Sequence, residues 1–188
     1  MSTANKTLVS KYFEEIFNKK NLAACDELVA TDFVENAPPP FAAGAPGRVH
    51  GPTSTRETAV FLLTVFPDLR MTVEALIAEG DIVAARVLAA GTSVATEAAP
   101  AGVRFSAGQS HWFRVQGRQL AEHWATRDDL SVIVPFVGAY AAGAPAKRAA
   151  RKPAKKPASK PAKKPASKPA KKPAKKPAAA AKPARRRA

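Results

Sequence analysis

The chain predicts an α+β domain in which helices are segregated to one face of an antiparallel sheet, followed by a tail that builds no core. Three observations predict this. Apolar residues recur at helical spacing in separate runs before Pro67, and after Pro67 the texture changes to strand-like runs divided by short turns. From Ala141 onward there are 18 Lys or Arg and no acid. Setting those 18 against the chain's 30 basic and 15 acidic residues leaves a body of net charge −3 and a tail of +18. The domain organisation expected is therefore a folded body over 1–140, an ordinary size for one core, and a disordered basic tail over 141–188.

The elements follow in order. Leu8, Val9, Tyr12, Phe13, Ile16 and Phe17 form one stripe over 7–17, opposite Lys11, Glu14 and Glu15, which predicts an amphipathic helix. Asn21 is placed to cap a second, shorter helix through Val29, with Leu22, Cys25, Leu28 and Val29 inward. Residues 32–36 suit a short strand stopped by Pro38-Pro39-Pro40, and an Ala, Gly and Pro-rich loop runs to Pro52. Thr53 or Ser54 caps a third helix carrying Ala59, Leu62, Leu63 and Phe66 until Pro67 ends it. Residues 71–77 alternate, Glu79-Gly80-Asp81 turns, and 82–90 form the next strand. Residues 103–105 lead into a hairpin over 108–130 that turns at Gln116-Gly117-Arg118. The last apolar piece, 130–137, is interrupted by Pro135 and caps the body.

The hairpin carries the chemistry. Strand alternation puts Gln109, His111, Phe113 and Val115 on one face of its first arm, and Ala121, His123 and Ala125 on one face of the second. Two imidazoles can then look into one hollow, although a His on a mostly apolar face serves as readily as a hydrogen-bonded core residue. Only His50 remains as a third His and no HExxH spacing is present, so no metal site is expected. The lone Cys25 cannot pair within the chain, which fits a reducing cytoplasm, and no apolar run reaches the length of a membrane helix. The expected location is cytoplasmic.

The segments KYFEEIFNKKNLAACDELVATDFVEN, FPDLRMTVEALIAEGDIVAAR and the EHW of Glu122, His123 and Trp124, in that order, resemble the SnoaL-like polyketide and ester cyclase family of the nuclear-transport-factor-2-like superfamily. The resemblance covers roughly 6–137. It implies a cone-shaped barrel made of a curved antiparallel sheet packed on three helices, with a pocket for a hydrophobic small molecule drawing on Phe33, Phe61, Gln109, Phe113 and Ala125. It also implies a homodimer formed through the sheet and cofactor-free acid/base chemistry of the cyclase or isomerase type. In such cyclases a carboxylate two residues after the second-arm His abstracts a proton alpha to a carbonyl, with a partner His on the first arm. Carried over, the two His fall on His111 and His123, and the base position falls on Ala125, which has no proton acceptor. Asp128 is a substitute for it, read first as a helix cap and second as a base. Glu35, beside Asn36, lies on the early segment where related isomerases carry their base, and is otherwise solvated surface. His111 and His123 themselves are the remaining candidates.

From Lys152 the tail repeats as KPAK, KPAS, KPAK, KPAS, KPAK, KPAK and KPAA, with no aromatic among them. Proline at every fourth residue removes amide donors and blocks helix, so this segment is expected to remain unfolded and to bind polyanions through charge alone. Lys152, Lys155, Lys156, Lys160, Lys163, Lys164, Lys168, Lys171, Lys172, Lys175, Lys176, Arg185, Arg186 and Arg187 are the expected contacts to DNA or RNA, without sequence specificity. The tail resembles those of linker histones and of some actinobacterial nucleoid proteins. Two functions fit: a pocket protein with acid/base catalysis held near nucleic acid, and a non-catalytic dimer that presents two tails as a nucleoid-associated binder.

Overall fold

The computed structural model describes residues 2–37, 48–49, 51–97 and 99–143. The loop after Ala37, His50 and every tail position named above, from Lys152 to Arg187, lie outside the described residues.

Helix α1, Ser2–Lys11, runs directly into a π-helical turn, Tyr12–Asn18, and the short α2 spans Ala24–Leu28. The stripe anticipated over 7–17 is the buried one: Val9, Tyr12, Phe13, Ile16 and Phe17 all face the core. The wider coil brings Tyr12, Phe13, Ile16 and Phe17 inward together. Strand β1 is Val29–Glu35 and β2 is Arg48–Val49. Helix α3 covers Gly51–Val65, β3 Arg70–Glu79, β4 Ile82–Thr92, β5 Arg104–Gln116, β6 Gln119–Arg127, and α4 Asp129–Ala141.

The six strands form one curved sheet in the order β2-β1-β6-β5-β4-β3, packed against the helices. All neighbours are antiparallel except β1 and β6, which pair in parallel and place Glu35 beside His123. The expected α+β class with a curved sheet on helices is the observed one, and the single parallel pair is the addition. Gly117 at φ 61° makes the turn between β5 and β6, as its lack of a Cβ allows.

Three local expectations are corrected. The second helix ends at Leu28 and the chain is extended from Val29, because pairing of β1 with β6 begins there and outweighs the helical stripe. The third helix starts at Gly51, before Thr53, with the Ser54 hydroxyl donating back to the Gly51 carbonyl at 3.3 Å. The final apolar piece is a helix with Pro135 inside it. Asp128 caps its start, accepting from Ser131 N–H at 3.1 Å, and Phe136 packs edge-on to Phe66.

Gly51 has φ 60°, and a Cβ there would stand 2.9 Å from the Thr31 carbonyl oxygen. Both the dihedral and the backbone contact oppose a side chain, so Gly51→Ala is expected to cost about 2 kcal/mol or more in urea unfolding. An unchanged midpoint would contradict that placement.

The core fills the space between helices and sheet. Phe13, Phe33, Phe113, Ile16 and Leu120 are fully buried within it, and Cys25 is a buried free thiol. The opposite face of the sheet is polar, with Arg86 paired to Glu74 at 2.8 Å and Arg114 to Asp81 at 2.9 Å and Glu122 at 3.2 Å. Trp112 lies there across from Trp124, half exposed, with the Arg114 guanidinium 5.8 Å from the Trp124 ring.

Candidate active site

Alternation along β5 and β6 sends Gln109, His111 and Phe113 to the core face, together with His123 and Arg127 from the facing strand. The antiparallel register pairs Gln109 with Arg127, His111 with Ala125, and Phe113 with His123, so the two imidazoles are diagonal neighbours. Their rings stack 5.2 Å apart at 12° between planes, His123 stacks on Phe113 at 4.6 Å, and Phe13 meets His111 edge-on. Aromatic surfaces thus fix both ring planes.

The polar atoms of these side chains form one continuous chain. Gln109 Oε1 lies 2.8 Å from His111 Nε2, His111 Nδ1 lies 2.9 Å from His123 Nε2, and His123 Nδ1 lies 2.8 and 3.0 Å from the two oxygens of Glu35. Glu35 Oε1 also accepts the Ala37 N–H at 2.8 Å. With the Gln109 amide oxygen turned to His111, the chain runs in one direction. Gln109 Oε1 only accepts, so His111 carries its proton on Nε2; its bare Nδ1 then accepts from His123 Nε2–H. One further proton lies between His123 Nδ1 and the carboxylate. Burial, followed by the positive charges of His123 and Arg127, holds the His111 pKa well below 6.5, in keeping with a neutral ring that accepts through Nδ1.

These residues border a partly open pocket with about 60 Å³ of free space, lined otherwise by Tyr12, Phe13, Phe17, Ala37, Thr55, Thr58, Leu62, Phe66, Leu69, Met71, Ala89, Phe105 and Val132. That volume admits a few waters and is well under the roughly 150 Å³ of a cavity that takes up benzene. A ring-sized ligand would require lining side chains to move aside.

The structure separates the sequence candidates. It brings Glu35, His111, His123 and Gln109 together. Glu35, expected as base or solvated surface, is only 8% exposed because β1 lies inside the sheet. Asp128 stands apart as the exposed cap of α4, with its oxygens engaged by Ser131, so its proposed role as base is not supported by its position. Its carboxyl is held below the usual range by those Ser131 bonds. Phe61 is 41% exposed on the outer side of α3, a helical step away from the inward Leu62. Phe33 and Phe113 are fully buried core, and half-buried Ala125 faces the His111 strand position without reaching the pocket lining. Tyr12, Thr55 and Arg127 were missed as lining residues. Arg127 was legible, since it continues the 121, 123, 125 alternation, whereas Thr55 gave no signal beyond its place near a helix start. The Arg127 side chain is 7% exposed and its Nε meets Asp129 Oδ1 at 3.2 Å. Among the described residues no three His, Cys, Asp or Glu are grouped to hold a metal, and no helix is long and apolar enough to cross a membrane.

The depressed His111 pKa has a stability consequence. In unfolded chain His111 takes up a proton near pH 6.5, while in the fold it does so only at much lower pH. Between those values the unfolded state binds more protons, so stability falls as pH drops through that window, by at most about 1.4 kcal/mol per pH unit from this group. The urea midpoint is expected to be lower at pH 5.5 than at pH 7.5, with a smaller difference in His111→Asn. Equal pH dependence in both proteins would contradict the assignment.

The model of the SnoaL-like polyketide cyclase family matches residues 7–133. Among solved structures, IdmH from Streptomyces antibioticus is 26% identical, with 71% of this chain and 98% of that one covered at a TM-score of 0.63. A candidate polyketide cyclase from Acidithiobacillus ferrooxidans is 23% identical, covering 74% of this chain and 98% of its own at a TM-score of 0.66. TsrD from Streptomyces laurentii is 23% identical, covering 72% and 96% at a TM-score of 0.61. A search of the curated proteins finds no match.

Proposed function

We propose that this chain, which belongs to the SnoaL-like polyketide cyclase family, binds a hydrophobic, carbonyl-bearing small molecule and moves a proton on it with its own side chains. The observation that carries this is the unbroken chain from Gln109 through His111 and His123 to Glu35 at the wall of an apolar pocket. In the proposed step Glu35 Oε2, the oxygen not shared with the Ala37 amide, takes the proton alpha to a substrate carbonyl. The proton stays on Glu35 Oε2 until it is returned to the substrate, while His123 Nδ1–H goes on donating to the carboxyl and holds it in place. The carboxylate absent at Ala125 is thereby supplied from β1. Uptake of deuterium alpha to the carbonyl of 1-tetralone in heavy water, followed by NMR, tests the reading. No exchange above buffer at any protein concentration would overturn it.

The 18 cations after Ala141 are the basis for a second element of the proposal, a sequence-independent hold on DNA or RNA that keeps the pocket domain at the nucleoid. A homodimer through the polar outer face of the sheet, where Trp112 is 47% exposed, would present two tails and strengthen that hold. The purely architectural alternative has no use for a buried carboxylate joined to two imidazoles, and the catalytic reading is preferred on that ground.

A further inference from the structure

We propose that Thr55 and Tyr12 form a second polar subsite on the helix side of the pocket that holds an oxygen of the ligand, a hydroxyl or a carbonyl, away from the relay. The inference rests on the ligand-pocket reading above and narrows it, selecting oxygenated ligands over hydrocarbons of the same shape.

Thr55 is 3% exposed and lines the pocket, and its Oγ1 is fully buried without a hydrogen-bond partner among the described residues. A threonine in a helix ordinarily turns its hydroxyl onto the carbonyl one turn earlier, as Thr64 does to Val60 at 2.7 Å in the same helix. At Thr55 that carbonyl belongs to Gly51, which already accepts the Ser54 hydroxyl. Buried polar groups are almost always satisfied, and leaving one open costs about 1–3 kcal/mol. Beside it the Tyr12 hydroxyl approaches Thr55, whose hydroxyl slightly offsets the upward push that burial, then the charge of Glu35, gives the phenol pKa, while Thr55 Oγ1 completes no hydrogen bond of normal geometry. Tyr12 is therefore a neutral O–H at any working pH, and Thr55 can either donate or accept. The free space of the pocket they line, about 60 Å³, leaves room beside the hydroxyl for a ligand oxygen.

Calorimetric titration of the full chain with phenol and with benzene provides the test, carried out on wild type, Thr55→Val and Thr55→Ser. The benzene-to-phenol ratio of Kd values is expected to fall about tenfold in Thr55→Val, the size of one hydrogen bond, and to persist in Thr55→Ser. Ligand-free Thr55→Val is expected to melt higher, because a methyl replaces the open hydroxyl. An unchanged ratio, with both probes still bound, overturns the subsite alone. Binding of neither probe by wild type overturns the ligand-pocket reading and the subsite with it. Should Thr55→Val fail to fold, Thr55→Ala gives the same ratio under the same criteria.

Discussion

Glu35→Gln is expected to lower deuterium uptake by 1-tetralone about 10²–10⁴-fold while the protein stays folded, the span typical of removing a positioned general base. An amide cannot take the proton, yet its oxygen still accepts from the Ala37 N–H, so the fold should lose only about 1 kcal/mol. Glu35→Ala is different. It strands the Ala37 amide and His123 Nδ1 in a site where Glu35 and His123 are 8% and 5% exposed, and about 3 kcal/mol of stability should go with it. Urea unfolding separates the two variants. Exchange as fast in folded Glu35→Gln as in wild type would remove Glu35 from the chemistry and return the choice to the imidazoles.

Truncation after Gly143 is expected to abolish retention of duplex DNA in a low-salt gel shift. The cut belongs there because α4 extends to Ala141, and every cation of the tail lies beyond it. What remains carries net charge −3 and is repelled by phosphate. For the full chain, log affinity should fall linearly with log salt. If all 14 Lys and Arg named above meet phosphates, the slope is bounded at about −13. Retention by the truncated body, or binding indifferent to salt, would contradict the electrostatic assignment.

The sheet was legible because its signals are local. Alternation in 108–130 placed both imidazoles on one face, and Gly117 marked the turn between them. The helix stripes at Val9 to Phe17 and Ala59 to Phe66 were equally plain. The sequence was less informative wherever a distant partner decides. Val29 leaves its helix because β6 pairs with it, and Pro135 sits inside a helix held by the Asp128 cap and the Phe66 contact. The candidate site divides the same way. His111, His123 and Gln109 share one hairpin and could be read together, whereas Glu35 is 88 residues from His123 and nothing near it in sequence announces the meeting. Asp128, close in sequence to the vacated Ala125 position, was the misleading neighbour. Thr55 carries no pattern at all, since an unsatisfied hydroxyl is a property of its surroundings.

The one parallel ladder, between β1 and β6, sets when during folding the proton path can exist. Strands β3 to β6 pair with their neighbours in chain order, but the carboxylate meets His123 only when β1, from the front of the chain, pairs with β6. A chain lacking β6 holds the proposed base without the imidazoles that orient it, and one lacking β1 holds the imidazoles without the base. Under the proposed chemistry, proton exchange would report completed closure, and a chain missing either strand would be chemically silent.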